Sequence, residues 1–264
     1  MIKSQYFKKY RYNAKKSIFK NRFFRLFILF LIFFIIIFYL VCFYSFFQIK
    51  NIEISGNQKI STQDLKNLAE NNLSKKILFL PSKSIFLVDL NKIEKEILDK
   101  FPPIKKVYFE KKFPDKLTIL INERQPAAIL EENEKYYFID NEGILFEEIT
   151  EKGSWLIIKN STSSQEVKLG EKILEQEKLS DILEIKSGLK DLDIKVEFAE
   201  IVNEKRVDVR TLDGWSIYFN LEDDISQQIF YLKTVLKEKI SPEERRNLEY
   251  VDLRFGNQIY YRER

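Results

Sequence analysis

The stretch LFILFLIFFIIIFYLVCFYSFFQI, residues 26–49, decides how this chain is built. It holds 24 consecutive residues without a charge, most of them Phe, Ile and Leu. As a helix rising about 1.5 Å per residue it reaches roughly 36 Å, enough to cross a hydrocarbon core of about 30 Å with some tilt. No other segment of the 264 residues comes close. One membrane crossing therefore separates a short head from a long tail, and the function must be one that a tethered protein performs.

Before the apolar block stand Lys3, Lys8, Lys9, Arg11, Lys15, Lys16, Lys20, Arg22 and Arg25, with no acid among them. The whole chain carries 44 basic and 40 acidic side chains, so with these nine set aside the acids outnumber the bases. A Lys/Arg excess beside a membrane helix marks the cytoplasmic side. The bulk, from about Gln48 onward, is expected outside the cytoplasm. Basic arms also bind nucleic acid or anionic lipid, but charges that abut the span read first as orientation with lipid contact. A cleavable signal peptide fits less well: its apolar region is about 7–15 residues long and ends at small residues, whereas Val41 to Phe46 offers no such site. Tyr39, Phe43, Tyr44, Phe46 and Phe47 suit the outer interfacial belt.

Composition removes several chemistries. The chain has no histidine, which excludes Ser-His-Asp and Cys-His nucleophiles and the usual zinc ligand sets. Its one cysteine, Cys42, lies in the apolar block, so the exported part has neither thiol nor disulfide. No phosphate-cradling glycine loop occurs, and there are seven glycines in all. No catalytic residue, cofactor or metal ligand is assigned. Carboxylate pairs remain available for glycan hydrolysis, but acids are abundant enough to make any chosen pair unremarkable.

Beyond the span, Phe47 to Ile54 alternates as a strand that slips near Asn51, and Gly56-Asn57 turns the chain. Ser61 opens a helix with a capping-box spacing to Asp64, and Leu65, Leu68 and Ala69 form its apolar face. A mixed connection with Pro81 fills residues 73–89. Leu90, Ile93, Ile97 and Phe101 mark a second helix, stopped by Pro102-Pro103. Strands follow around Ile104–Phe109 and Leu117–Ile121, with Phe113-Pro114-Asp115-Lys116 as the turn. Strand-helix-helix-strand-strand makes a compact unit with a sheet face or edge left for a partner.

These residues carry a family pattern. Ile52-Glu53-Ile54-Ser55-Gly56-Asn57 resembles the opening of a POTRA domain. Pro103 to Val107, Phe113 to Leu117 and Glu123-Arg124-Gln125-Pro126-Ala127-Ala128 are similar to the second half of its FtsQ-type variety. Ile139-Asp140-Asn141-Glu142-Gly143-Ile144-Leu145-Phe146 matches the segment that follows, and Tyr250 to Phe255 resembles the terminal strand. With the basic head and single span, the resemblance to the FtsQ/DivIB cell-division family covers essentially the whole chain. Phe113 stands where the family usually has Trp. The connection 73–89 is longer than usual and lacks glycine.

The division expected is 1–22 as cytoplasmic basic tail, 23–47 as transmembrane helix, 48–124 as POTRA domain (β-α-α-β-β) and 125–264 as a mostly β domain with two helices, an α+β chain overall. The helices of the last part are read at about 175–189 and 224–239. Hairpins are read at Asp140–Phe146 and at Asp213-Gly214, the strongest such signal in the chain. Trp155 and Trp215 read as core, and Glu123-Arg124 as an interdomain salt bridge and hinge. In the last strand Val251, Leu253 and Phe255 point one way and Tyr250, Asp252 and Arg254 the other. The resemblance implies that this strand is an exposed edge accepting a strand of the FtsB/DivIC-type partner. The partner-binding candidates are Tyr250, Asp252, Arg254, Phe255, Gln258, Tyr260 and Tyr261.

The resemblance implies a bitopic, non-enzymatic scaffold at the cell membrane and division septum. It would bind FtsB/DivIC- and FtsL-type and other divisome proteins and regulate septal peptidoglycan synthesis by positioning. Nucleic acid and small-molecule substrates are not expected. The alternatives are a membrane-anchored POTRA chaperone or translocation component and a membrane-anchored, carboxylate-dependent glycan enzyme.

Overall fold

The computed structural model describes residues 22–77, 79–161 and 167–264. The basic head up to residue 21 lies outside them. Helix α1 (Arg22–Phe43) has lipid-like side chains on every side, and among the described residues it is the one helix long and apolar enough to cross a membrane. A 3-10 turn (Ser45–Phe47) leads out of it.

The membrane-proximal unit is built on a three-stranded sheet in the order β1 (Asn51–Ser55), β5 (Lys116–Glu123), β4 (Ile104–Lys112). β1 runs parallel to β5, and β4 antiparallel. Alternation on β5 buries Leu117, Ile119 and Ile121 beneath α2 (Thr62–Leu73) and α3 (Leu90–Lys100), which contribute Leu65, Leu68, Ile93 and Ile97 to the same core. Thr118, Leu120 and Asn122 face away from the core. Gly56 holds φ +85°, and a Cβ there would sit 2.2 Å from the carbonyl oxygen of Ile121, so both the backbone and the space require glycine.

Three local expectations are corrected. Alternation from Phe47 does not give one strand. Gln48 bridges to Ser84, and β1 starts only at Asn51, after the amides of Lys50 and Asn51 have both donated to the Asp115 carbonyl. Ser61 precedes α2 in extended conformation, yet its side chain caps nothing. The segment 73–89 contains a hairpin, β2 (Lys75–Ile77) with β3 (Leu80–Ser82), in which Phe79 takes φ +72° at the place a glycine would usually fill.

The distal unit is one nine-stranded sheet, ordered β14 (Gln258–Glu263), β13 (Leu248–Phe255), β12 (Ser216–Asn220), β11 (Arg206–Thr211), β10 (Val196–Ile201), β9 (Ile157–Asn160), β6 (Ala128–Glu132), β7 (Lys135–Ile139), β8 (Leu145–Ile149). Parallel neighbours need a crossover; between β6 and β9 it runs through β7 and β8, and two helices supply the others. α4 (Gln176–Asp191) joins β9 to the parallel β10, and α5 (Ile225–Glu238) joins β12 to the parallel β13. The pair packs on one sheet face over Val207, Val209, Ile217 and Phe219. Trp215 is buried in this core; Trp155, read as core, is 40 % exposed and rests edge-on against Phe138. Asp213-Gly214 does close the β11–β12 hairpin, with Gly214 at φ +85°.

Glu123 and Arg124 divide their work. The Glu123 carboxylate accepts the amides of Gln58, Lys59 and Ile60, so it pins the turn after β1 rather than forming a salt bridge. Arg124 crosses to the distal unit, where its Nη1 donates to Asp140 Oδ2 at 2.5 Å while its Nε holds the Pro102 carbonyl. Asp140 is 1 % exposed and also accepts the amides of Glu142 and Ile144.

Candidate functional site

Four of the seven candidate residues lie on β13 and three on β14, and the structure does not bring them to one point. β13 is an interior strand, paired in parallel with β12 and antiparallel with β14. The free edge belongs to β14: no strand among the described residues pairs with its outer side. Of the segment Arg254–Tyr261 to which the resemblance assigns the exposed edge, the part at the rim is Gln258–Tyr261 on β14, while Arg254 and Phe255 end the interior strand β13. One correction concerns facing. The register shifts between Asp252 and Phe255, so Phe255 does not join Val251 and Leu253 in the core and is 55 % exposed.

The first group occupies the sheet face opposite the helices. Asp252, 5 % exposed, accepts from Arg254 in two-point fashion, Nε to Oδ1 at 2.8 Å and Nη2 to Oδ2 at 2.5 Å. Arg206 and Asp208 on β11 repeat this pairing, at 2.6 Å for both bonds. Tyr218 on β12 lies between them, its ring 4.6 Å from the Arg206 guanidinium and 5.4 Å from that of Arg254. Tyr250 stacks on the same ring with centroids 5.2 Å apart. Hydrogen bonding to its aspartate raises the affinity of each guanidinium for its proton, and burial raises that of the Tyr218 hydroxyl. The charges of Arg206 and Arg254 are thus neutralised on the spot by their own aspartates, around the paired rings of Tyr218 and Tyr250. This face offers packing and donor groups rather than a nucleophile or a proton-transfer pair.

The second group sits at the β13–β14 turn. Phe255 and Tyr260 meet edge to face at 5.4 Å, and the Tyr260 hydroxyl donates to Gln258 Oε1. Tyr261 pairs across from Val251 and so lies on the helix side of the sheet, where it is 44 % exposed beyond the end of the core. Ile259, between them, packs partly against the core and holds β14 down. Sequence reasoning missed Arg206, Asp208 and Tyr218. The available signal was the Arg-x-Asp of β11 matched by the Asp-x-Arg of β13, two spacings that put both charges on one strand face. Among the described residues no group of three or more Asp, Glu or Cys side chains is placed to hold a metal ion.

Comparison with known proteins agrees with this architecture. A family profile described as "POTRA domain, FtsQ-type" matches residues 47–124. A second, "Cell division protein FtsQ/DivIB, C-terminal", matches residues 128–254 and so stops short of β14. The cell division protein DivIB of Clostridium acetobutylicum is 27 % identical over 231 residues, which take in 81 % of this chain and 83 % of that protein. DivIB of Clostridium tetani is 28 % identical over 138 residues, 52 % of this chain and 49 % of that one. The cell division protein FtsQ of Syntrophotalea carbinolica is 30 % identical over 111 residues, 42 % and 36 % of the two chains.

Proposed function

The chain belongs to the FtsQ/DivIB family of cell-division proteins, and from that premise we propose that it is a non-catalytic scaffold whose β14 edge receives a strand from an FtsB/DivIC-type partner held with an FtsL-type protein. Its place in the division machinery and an apolar anchoring helix follow from the family and from α1. The cytoplasmic head, the extracytoplasmic body, the septal position and the regulation of peptidoglycan synthesis are part of the proposal. So is the division into tail 1–22, span 23–47, POTRA domain 48–124 and distal domain 125–264.

One observation carries the reading: a nine-stranded sheet ends in the exposed strand β14, whose outer backbone edge has no partner strand among the described residues. Monomeric proteins usually cover or blunt such an edge. An added strand gains main-chain hydrogen bonds there, and Gln258, Tyr260, Tyr261 and the neighbouring Phe255 supply side-chain contacts. Tyr250, Asp252 and Arg254 then act one strand further in, as the face on which β14 and its guest are braced.

The test is a binding titration of the full chain, in lipid nanodiscs, against the extracytoplasmic segments of the FtsB/DivIC- and FtsL-type proteins of the same genome. It is repeated with a chain ending at Asn257. Removing β13 as well would open the core, because Leu248, Val251 and Leu253 are buried. Saturable binding by the intact chain and its loss on removal of β14 support the edge mechanism. Equal binding by both chains refutes it and moves the site to the membrane-proximal unit or another face of the distal one.

A further inference from the structure

The exit of α1 from the bilayer carries an unusual amount of apolar surface. Phe79, on the β2–β3 hairpin, is 96 % exposed, and its neighbour Leu80 is 54 % exposed. A second apolar projection runs through ring contacts of 5.1, 5.3 and 5.2 Å along Phe46, Phe47, Phe86 and Phe113. Phe113, at its far end, is 60 % exposed. A bulky residue at positive φ is an outlier, and Phe79 holds φ +72° with almost none of its surface buried in the protein. Strain of that kind, unrepaid by packing, points to a contact outside the chain.

The hairpin is fixed at a defined level. Ser82 Oγ donates to the carbonyl of Cys42 and Ser84 Oγ to that of Val41, two carbonyls in the last turn of α1 that have no partner inside the helix. Gln48 Nε2 also donates to the Cys42 carbonyl, and main-chain bonds from Ile49 to Lys83 and from Ile85 to Phe47 lock the same junction. At about 1.5 Å per residue, the uncharged part of α1 from Leu26 to Phe43 covers about 27 Å, close to the hydrocarbon thickness of about 30 Å, so its last turn lies at the boundary with the headgroups. Phe79 is three strand residues from Ser82, roughly 10 Å at about 3.3 Å per residue, a length that brings its ring to that boundary when the hairpin leans toward the bilayer.

We propose that the β2–β3 hairpin and the Phe86–Phe113 ring run insert into the acyl–headgroup boundary of the leaflet at which α1 emerges, and so hold the membrane-proximal unit down on the bilayer. Aromatic rings are favoured at that depth. Lys75 and Lys76 on β2 and Lys83 just after β3 are exposed, and their ammonium groups meet lipid phosphates. Lipid, rather than a protein partner, is the occupant because the patch is continuous with the end of the span and hydrogen-bonded to it. The inference rests on α1 crossing the bilayer.

The test is nitroxide accessibility in the full chain, reconstituted into phosphatidylcholine–phosphatidylglycerol vesicles. Single cysteines at Phe79→Cys and Phe113→Cys are placed in a Cys42→Ala background. Phe34→Cys in α1 and Leu169→Cys in the distal unit serve as references. Labels at 79 and 113 that meet dissolved oxygen several-fold more readily, relative to an aqueous nickel chelate, than the label at 169 support insertion. A chelate-accessible label at 79 or 113 beside a lipid-buried label at 34 overturns the inference while leaving the anchor intact. A label shielded from both reagents means that protein covers the patch, which also overturns it. A chelate-accessible label at 34 removes the anchor, and the inference with it.

Discussion

At the scale of single residues, Gly188 is the sharpest test of packing between α4 and α5. Alanine is ordinarily the better helix former by about 1 kcal/mol. Here its Cβ would stand 2.3 Å from Ile229 Cδ1 and 3.0 Å from Cγ2, so the helices must part or Ile229 must leave its rotamer. Gly188→Ala is expected to destabilise the distal unit by about 1–3 kcal/mol, as overpacking does. Adding Ile229→Ala should recover part of the loss in a denaturant titration; no recovery would mean that the helix contact is not what excludes the methyl. Glu132 makes a second case. Burial raises its carboxyl pKa, so the folded state holds the proton more tightly than the unfolded one. The ionised form therefore costs stability above the folded pKa, and that cost is relieved as pH falls through it. Glu132→Gln should raise the unfolding midpoint at pH 7 and change little near pH 4, where the carboxyl of wild type is largely protonated. The alternation of β5, β11 and β12 could be read from the sequence because each strand has one face on a core. The fate of Asp252 could not, because its burial depends on Arg254 folding back over it and on a register shift that no spacing announces.

At the scale of elements, local signals located both helical pairs and the Asp213-Gly214 hairpin. Two things escaped them. The order of strands in the sheet is set by the crossovers through α4 and α5, which placed β13 inside and β14 at the rim. The β2–β3 hairpin escaped because Phe79, not glycine or asparagine, occupies its left-handed position. That hairpin also makes the junction with α1 testable. Without the hydroxyls of Ser82 and Ser84, the Val41 carbonyl loses its side-chain donor and the Cys42 carbonyl keeps only Gln48. The double variant Ser82→Ala, Ser84→Ala is expected to cost about 1–3 kcal/mol. Hydrogen exchange should accelerate locally at the amides of Ile49 and Ile85, whose bonds close the junction, and stay unchanged in β11 and β12. Uniform acceleration across both units would show that the hydroxyls support global folding rather than this joint.

At the scale of the whole molecule, a scaffold is useful only if its parts hold a fixed relation, and here that relation depends chiefly on Arg124. The guanidinium is drawn from the end of β5, anchored to the Pro102 carbonyl in the first unit and paired with buried Asp140 in the second. Glu142 adds a longer contact to the same Nη1 at 3.6 Å and pairs with Lys105 at 3.0 Å. Lys59 and Glu147 make a further bridge across the joint, but both are partly solvated, and such a pair contributes less than about 1 kcal/mol. The buried pair is of another order: removing one partner from such a pair costs about 3–5 kcal/mol, because a charge is left without its counterpart. Asp140 keeps the amides of Glu142 and Ile144, which places Arg124→Ala toward the lower end of that range. The expected phenotype is loss of orientation rather than loss of either core, since neither hydrophobic cluster includes Arg124. Small-angle scattering of the nanodisc-held chain should broaden its distance distribution, and proteolysis should open the connection at residues 125–127, while Lys59→Ala leaves both unchanged. If Arg124→Ala scatters like the parent, the two units are held by their packing alone, and the charge pair serves only to satisfy Asp140.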